Sequence, residues 1–102
     1  MRLGRWSSVA AGRLSGYSAI VRDIYHPPVK RSVEIAGHKT SISLEPLFWD
    51  MLRAEAALAD LPINALVAKI DAERLEAEHP PGLATSVRLW LAARHHRAAA
   101  DQ

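Results

Sequence analysis

The residues with the most chemistry to offer lie in one short alternating run, Lys39 to Leu44 (KTSISL). At the two-residue period of a strand, Thr40, Ile42 and Leu44 share one face and Lys39, Ser41 and Ser43 share the other. The first set suits a core. The second sets one ammonium and two hydroxyls in a row, free to touch something polar. The remaining titratable groups do not gather in this way. His95 and His96 are adjacent, about 100° apart on a helix, and do not chelate one metal as an i, i+4 pair does. With Arg94 and Arg97 they read as a basic helix end, at the negative pole of the dipole. Asp71 and Glu73 belong to a mixed-charge helix, where a solvated face is expected, and His38 reads as a turn residue. There is no Gly-rich phosphate loop, no H-E-x-x-H and no nucleophile elbow. Cysteine is absent, which excludes disulfide scaffolds, thiolate zinc sites and cysteine nucleophiles. The expectation is a protein that is not an enzyme and takes no metal and no cofactor.

The elements that must position Lys39, Ser41 and Ser43 belong to a small chain of 102 residues, 49% apolar and 24% charged. That length fits one domain. The longest apolar runs are broken by Arg, Asp or Glu, so a membrane span is not expected and a reducing cytoplasmic setting is. Charge is unevenly spread. Residues 1–28 carry Arg2, Arg5, Arg13 and Arg22 against Asp23 alone, a net +3 out of +2 for the whole chain, so the rest sums to −1. Any anion site is therefore local rather than a broadly basic body.

Residues 1–28 hold Gly4, Gly12 and Gly16 with scattered Arg and Ser and no sustained period, and they end at Pro27-Pro28. They read as a flexible basic N-terminal arm; an organelle transit segment, or sequence upstream of the true start codon, has similar composition. Residues 29–102 then form the domain. Lys30 to Ala36 and Lys39 to Leu44 both alternate, with Gly37-His38 between them. A Gly37-His38 turn would pair Ile35 with Thr40 and Val33 with Ile42. Glu45-Pro46 opens a helix, with Phe48, Trp49, Leu52, Ala56 and Ala59 as its apolar stripe and Leu61-Pro62 as its stop. A second helix from Pro62 buries Leu66, Val67 and Ile70 and exposes Asn64, Lys69, Asp71 and Glu73. After His79-Pro80-Pro81-Gly82 a third runs from about Thr85, with Val87, Leu89, Trp90 and Leu91 apolar.

The stretch KRSVEIAGHKTSISLEPLFWDMLRAEAALADLPINALVAKIDAE, residues 30–73, resembles the ribbon-helix-helix class of small bacterial DNA-binding proteins, which contains the Arc and MetJ repressors. The similarity is to short members with a KRSV-x-I-x-G-H-[RK]-TS-[VI]-SLE opening and an NALVA-x-ID second helix. It implies a mainly α fold with a short β-ribbon, dimeric, here with a C-terminal third helix added. It also implies a homodimer whose paired strands enter the major groove of double-stranded DNA, with no cofactor and no membrane. Carried over, Lys39, Ser41 and Ser43 fall on the base-reading face. Ile63 and Asn64 supply the phosphate-facing start of the second helix. Ile42, Leu44, Phe48, Trp49, Leu52, Leu66, Val67 and Ile70 make the core and dimer contact. A lone chain is expected to leave Ile42 and Leu44 without a second layer, which makes the dimer obligate.

Three positions depart from the class. Asp60 stands where it prefers Gly between the helices, Pro62 replaces the usual Ser or Thr cap, and the strand at 30–36 is additional. Four strands at about 4.8 Å spacing occupy roughly 14 Å, against a major groove roughly 12 Å wide. Groove insertion therefore predicts that residues 30–36 bend away as an arm that lays Lys30 and Arg31 on the phosphate backbone. The runner-up reading is a ribbon-helix-helix dimer serving as a protein-interaction scaffold, with a protein partner at the C-terminal helix.

Overall fold

The computed structural model describes residues 24–101. The basic arm expected over 1–28 lies, up to residue 23, outside the described residues. Strands β1 (Val29–Ile35) and β2 (His38–Leu44) form an antiparallel hairpin, followed by helices α1 (Pro46–Leu58), α2 (Ile63–Arg74) and α3 (Leu83–Ala100).

The hairpin corrects the expected turn. The turn residues are Ala36 and Gly37, with Ile35 opposite His38, Val33 opposite Thr40 and Arg31 opposite Ile42. Ala36 has φ 52° and Gly37 has φ 81°, the positive values that a tight two-residue hairpin turn of type I′ demands at both central positions. A Gly37-His38 turn would have set Val29 opposite Pro46, which has no N–H to give a ladder. The observed frame instead ends on the rung Val29 to Leu44. Because the pairing moves by two residues, every side chain keeps its face. Nor do residues 30–36 leave as an arm, since β1 stays paired with β2 along its whole length.

Helix α1 begins with Pro at its first turn and no side-chain cap on Glu45. It ends in a Schellman arrangement: Asp60 N–H donates to the Ala57 carbonyl at 3.1 Å and Leu61 N–H to the Ala56 carbonyl at 2.9 Å. Asp60 takes the left-handed position itself, φ 57°, a conformation that Asp reaches more readily than most residues with a Cβ. Helix α3 starts two residues earlier than the expected Thr85, behind Gly82. Arg74 fixes the connection, its Nε on Asp71 at 2.8 Å and a terminal nitrogen on the Pro81 carbonyl at 2.9 Å. Asp71, expected on the solvated face, is accordingly half-buried.

The core joins Val33, Ile42 and Leu44 of the hairpin to Trp49, Leu52 and Ala56 of α1, Leu66, Val67 and Ile70 of α2, and Val87 and Leu91 of α3. Phe48 packs at its margin, whereas Ala59 and Leu89 are exposed. Each buried aliphatic side chain contributes about 1.5–3 kcal/mol. Trp49 also ties the layers together, its Nε1–H donating to the Val29 carbonyl at 2.9 Å. One expectation fails here for a clear reason. Ile42 is 4% and Leu44 0% exposed within a single chain, because α1, α2 and α3 together cover the hairpin that two helices alone would leave open.

Candidate nucleic-acid interface

The register sets six side chains on the hairpin face turned away from the helices. Lys30 lies opposite Ser43, Ser32 opposite Ser41, and Glu34 opposite Lys39. All are exposed except Ser43, which is half-buried. The face thus carries two ammonium groups, three hydroxyls and one carboxylate. Glu34 and Lys39 form no ion pair among the described residues, so both charges are open to a ligand. Ser32 was not singled out in the sequence, although the period of KRSVEI places it beside Ser41.

The residues expected at phosphate are dispersed. Lys30 shares the outward face, but Arg31, one residue on, points to the opposite side, with its guanidinium 5.5 Å from the Trp49 ring centroid. This is the alternation of a strand acting on a residue that a bent arm would have freed. Ile63 is half-buried and packs against the core. Asn64 is exposed, and its Oδ1 accepts the Glu34 backbone N–H at 3.2 Å. Pro62 is the N-cap and gives no side-chain cap bond; the Leu66 N–H on the Pro62 carbonyl, 3.1 Å, is the first bond of α2. The backbone N–H groups of 63–65 therefore have no acceptor within the helix.

The two edges of the hairpin differ. In a two-residue hairpin the flanking pair, Ile35 and His38, exchanges ladder bonds, so Lys30, Ser32 and Glu34 turn their backbone groups outward from β1, and Lys39, Ser41 and Ser43 turn theirs outward from β2. On β1, the first turn of α2 takes the Glu34 N–H. On β2, Arg88 of α3 donates to the Ser43 carbonyl at 3.2 Å. Arg88 Nε also donates to Glu45 Oε1 at 3.0 Å, and the guanidinium lies 5.8 Å from the Phe48 ring centroid. Hydrogen bonding from its own backbone amide does most to hold the Glu45 carboxyl below its ordinary pKa; partial desolvation opposes this, and Arg88 adds a further lowering. Sequence reading missed Arg88, whose partners stand 43 and 45 residues away.

A β-strand that runs straight into two helices joined by a tight turn is the architecture of a ribbon-helix-helix domain, extended here by β1 before it and α3 after it. The sequence matches the ribbon-helix-helix domain family over residues 28–95, and the chain belongs to that family. Its members are generally DNA-binding transcription regulators, and the fold is a non-enzymatic one. No curated protein and no solved structure matches the chain significantly.

Proposed function

We propose that this protein is a sequence-specific DNA-binding regulator of transcription, acting as a homodimer in the bacterial cytoplasm. The observation that carries the reading is the outward face of β2. Lys39, Ser41 and Ser43 stand in line on a strand whose outer edge is open from Lys39 to Ser41. Two copies joined antiparallel along that edge make a central pair of strands about 5 Å apart, which fits a major groove about 12 Å wide. Lys39 donates to guanine O6 or N7, and the serine hydroxyls give or accept hydrogen bonds at base edges. Each β1 flanks the central pair and is rotated from it by about 20–25°. It therefore lies over the phosphate rims, where Lys30 attracts and Glu34 repels. The free N–H groups at the start of α2 offer a further phosphate contact.

The retained β1 and its Glu34 carboxylate also favour a second reading, a dimeric scaffold. In that case the C-terminal half of α3, exposed from Ala92 onward, holds a protein partner. Selection of the protein on random duplex DNA, followed by binding at several salt concentrations, separates the two. Enrichment of one motif, with affinity falling steeply as salt rises, supports the regulator. Failure to bind any duplex at low salt removes DNA recognition and leaves the scaffold.

A further inference from the structure

If two copies join along β2, which residues meet is open to more than one register. Symmetry requires that outward-facing residues pair with outward-facing residues, so two frames use this edge well. In one, Ser41 stands opposite the partner's Ser41, and Lys39 opposite the partner's Ser43, engaging the whole of β2. In the other, Thr40 stands opposite the partner's Thr40, and Lys39 opposite the partner's Ser41.

The structure distinguishes them at Ser43. Its carbonyl, which turns outward on the free edge, already accepts from Arg88 at 3.2 Å. Arg88 is not free to leave. Its Nε is held by Glu45 at 3.0 Å, a charge-assisted bond, and its guanidinium carbon is 5.8 Å from the Phe48 ring centroid. In the first frame the Lys39 N–H of the partner must compete with this guanidinium, and the partner's Ala36-Gly37 tip must run past it towards Glu45 and Pro46. In the second frame the partner's β2 begins opposite Ile42 and its turn lies at Ser43, so no ladder bond to the Ser43 carbonyl is needed. Arg88 then caps the one edge carbonyl that this pairing leaves over.

We infer that Arg88 is a positioning residue that sets the register of the β2 ribbon, centring it on Thr40 and ending it before Ser43. The inference rests on the dimeric DNA-binding reading and deepens it. Each Lys39 is brought next to the partner's Ser41, close to the two-fold axis, while Ser43 is moved to the periphery of the reading face.

The absence of cysteine gives a direct test in the full chain. Thr40→Cys and Ser41→Cys are separately oxidised under mild conditions and the disulfide-linked dimer is measured. Residues directly opposite in a non-hydrogen-bonded pair come to about 4.5 Å between Cα atoms, within disulfide reach, whereas the diagonal alternative lies at about 7–8 Å. Thr40→Cys is expected to cross-link about tenfold faster than Ser41→Cys. Adding Arg88→Ala, with the helical signal checked for retained folding, is expected to move cross-linking from position 40 to position 41. Faster or equal cross-linking of Ser41→Cys in the chain that keeps Arg88 overturns the register while leaving the dimer standing. An unchanged preference after Arg88→Ala removes Arg88 as its cause. A monomer in sedimentation, with neither variant linking, overturns the dimeric reading and the register with it.

Discussion

The backbone N–H of Glu34 donates to Asn64 Oδ1 at 3.2 Å, joining residues 30 apart and closing the outer edge of β1 with the first turn of α2. An edge strand with unpaired backbone groups is a site for unwanted pairing, and here a helix covers it. Asn64 thereby serves the sheet with its oxygen, which leaves its backbone and side-chain N–H groups for an anion. Asn64→Ala is expected to lower stability by about 0.5–1.5 kcal/mol. Urea unfolding measures the loss, and amide exchange at Glu34 should speed up while that of the Val33 amide, turned towards β2, changes little.

The turn offers the opposite change. Ala36 holds φ 52°, a left-handed conformation that costs an L-residue with a Cβ about 1–2 kcal/mol. Asn tolerates it better and makes Asn-Gly, the favoured pair for this turn. Ala36→Asn is therefore expected to raise stability by roughly 0.5–1 kcal/mol without moving the register, checked by the urea midpoint.

The order of elements was legible because local patterns suffice for it: the alternation of KTSISL, Pro46 at a helix start, and the spacing of Trp49, Leu52 and Ala56. The turn frame was not, since both frames keep Val33 and Ile42 on one face and periodicity cannot tell them apart. Arg31 was assigned with Lys30 on the premise of a bent arm, and a paired strand sends the two to opposite sides. Arg88 was invisible for another reason. Its role depends on where α3 returns to the end of β2, and no spacing within α3 encodes that. The same return explains why Ile42 and Leu44 are covered within one chain.

Trp49 is 2% exposed and bonds to the Val29 carbonyl. Trp49→Ala is expected to cost about 3–5 kcal/mol, a large share of the roughly 5–15 kcal/mol that holds a domain folded. Trp49→Phe keeps most of the packing and loses the indole bond, so about 1 kcal/mol is expected. Unchanged melting of the alanine variant would show that this face of α1 is not the core.

On DNA, four variants should differ in kind. Lys39→Ala is expected to weaken specific binding by about 1–3 kcal/mol and relax the sequence preference. Lys30→Ala should weaken binding to all duplexes alike and lower the salt slope by about one unit. Glu34→Gln removes a carboxylate from the phosphate rim and should tighten binding to every duplex. Arg31→Ala, whose guanidinium lies over Trp49, should reduce stability by about 0.5–1 kcal/mol and leave the salt slope unchanged. Binding titrations over salt and thermal melts of the same preparations read all four.

Glu45 gives the fold a pH dependence of known sign. Its carboxyl titrates below its ordinary value in the folded chain, chiefly through its own backbone amide and, with desolvation opposing, through Arg88. A depressed folded pKa means the unfolded chain binds the proton more readily. The stabilisation is thus complete above the unfolded value of about 4.3 and is lost as pH falls through the lower folded value. The informative quantity is the difference in stability between the protein and Glu45→Gln. That difference should be constant from neutral pH down to about 5 and shrink below about 4. Arg88→Met should cost roughly 1 kcal/mol at neutral pH and reduce the acid dependence without abolishing it, because the backbone amide still favours the carboxylate. Urea unfolding of the three proteins between pH 3 and pH 7 decides this. A difference that grows on acidification would mean that Glu45 is held above its ordinary value, and that burial rather than its hydrogen bonds governs the end of β2.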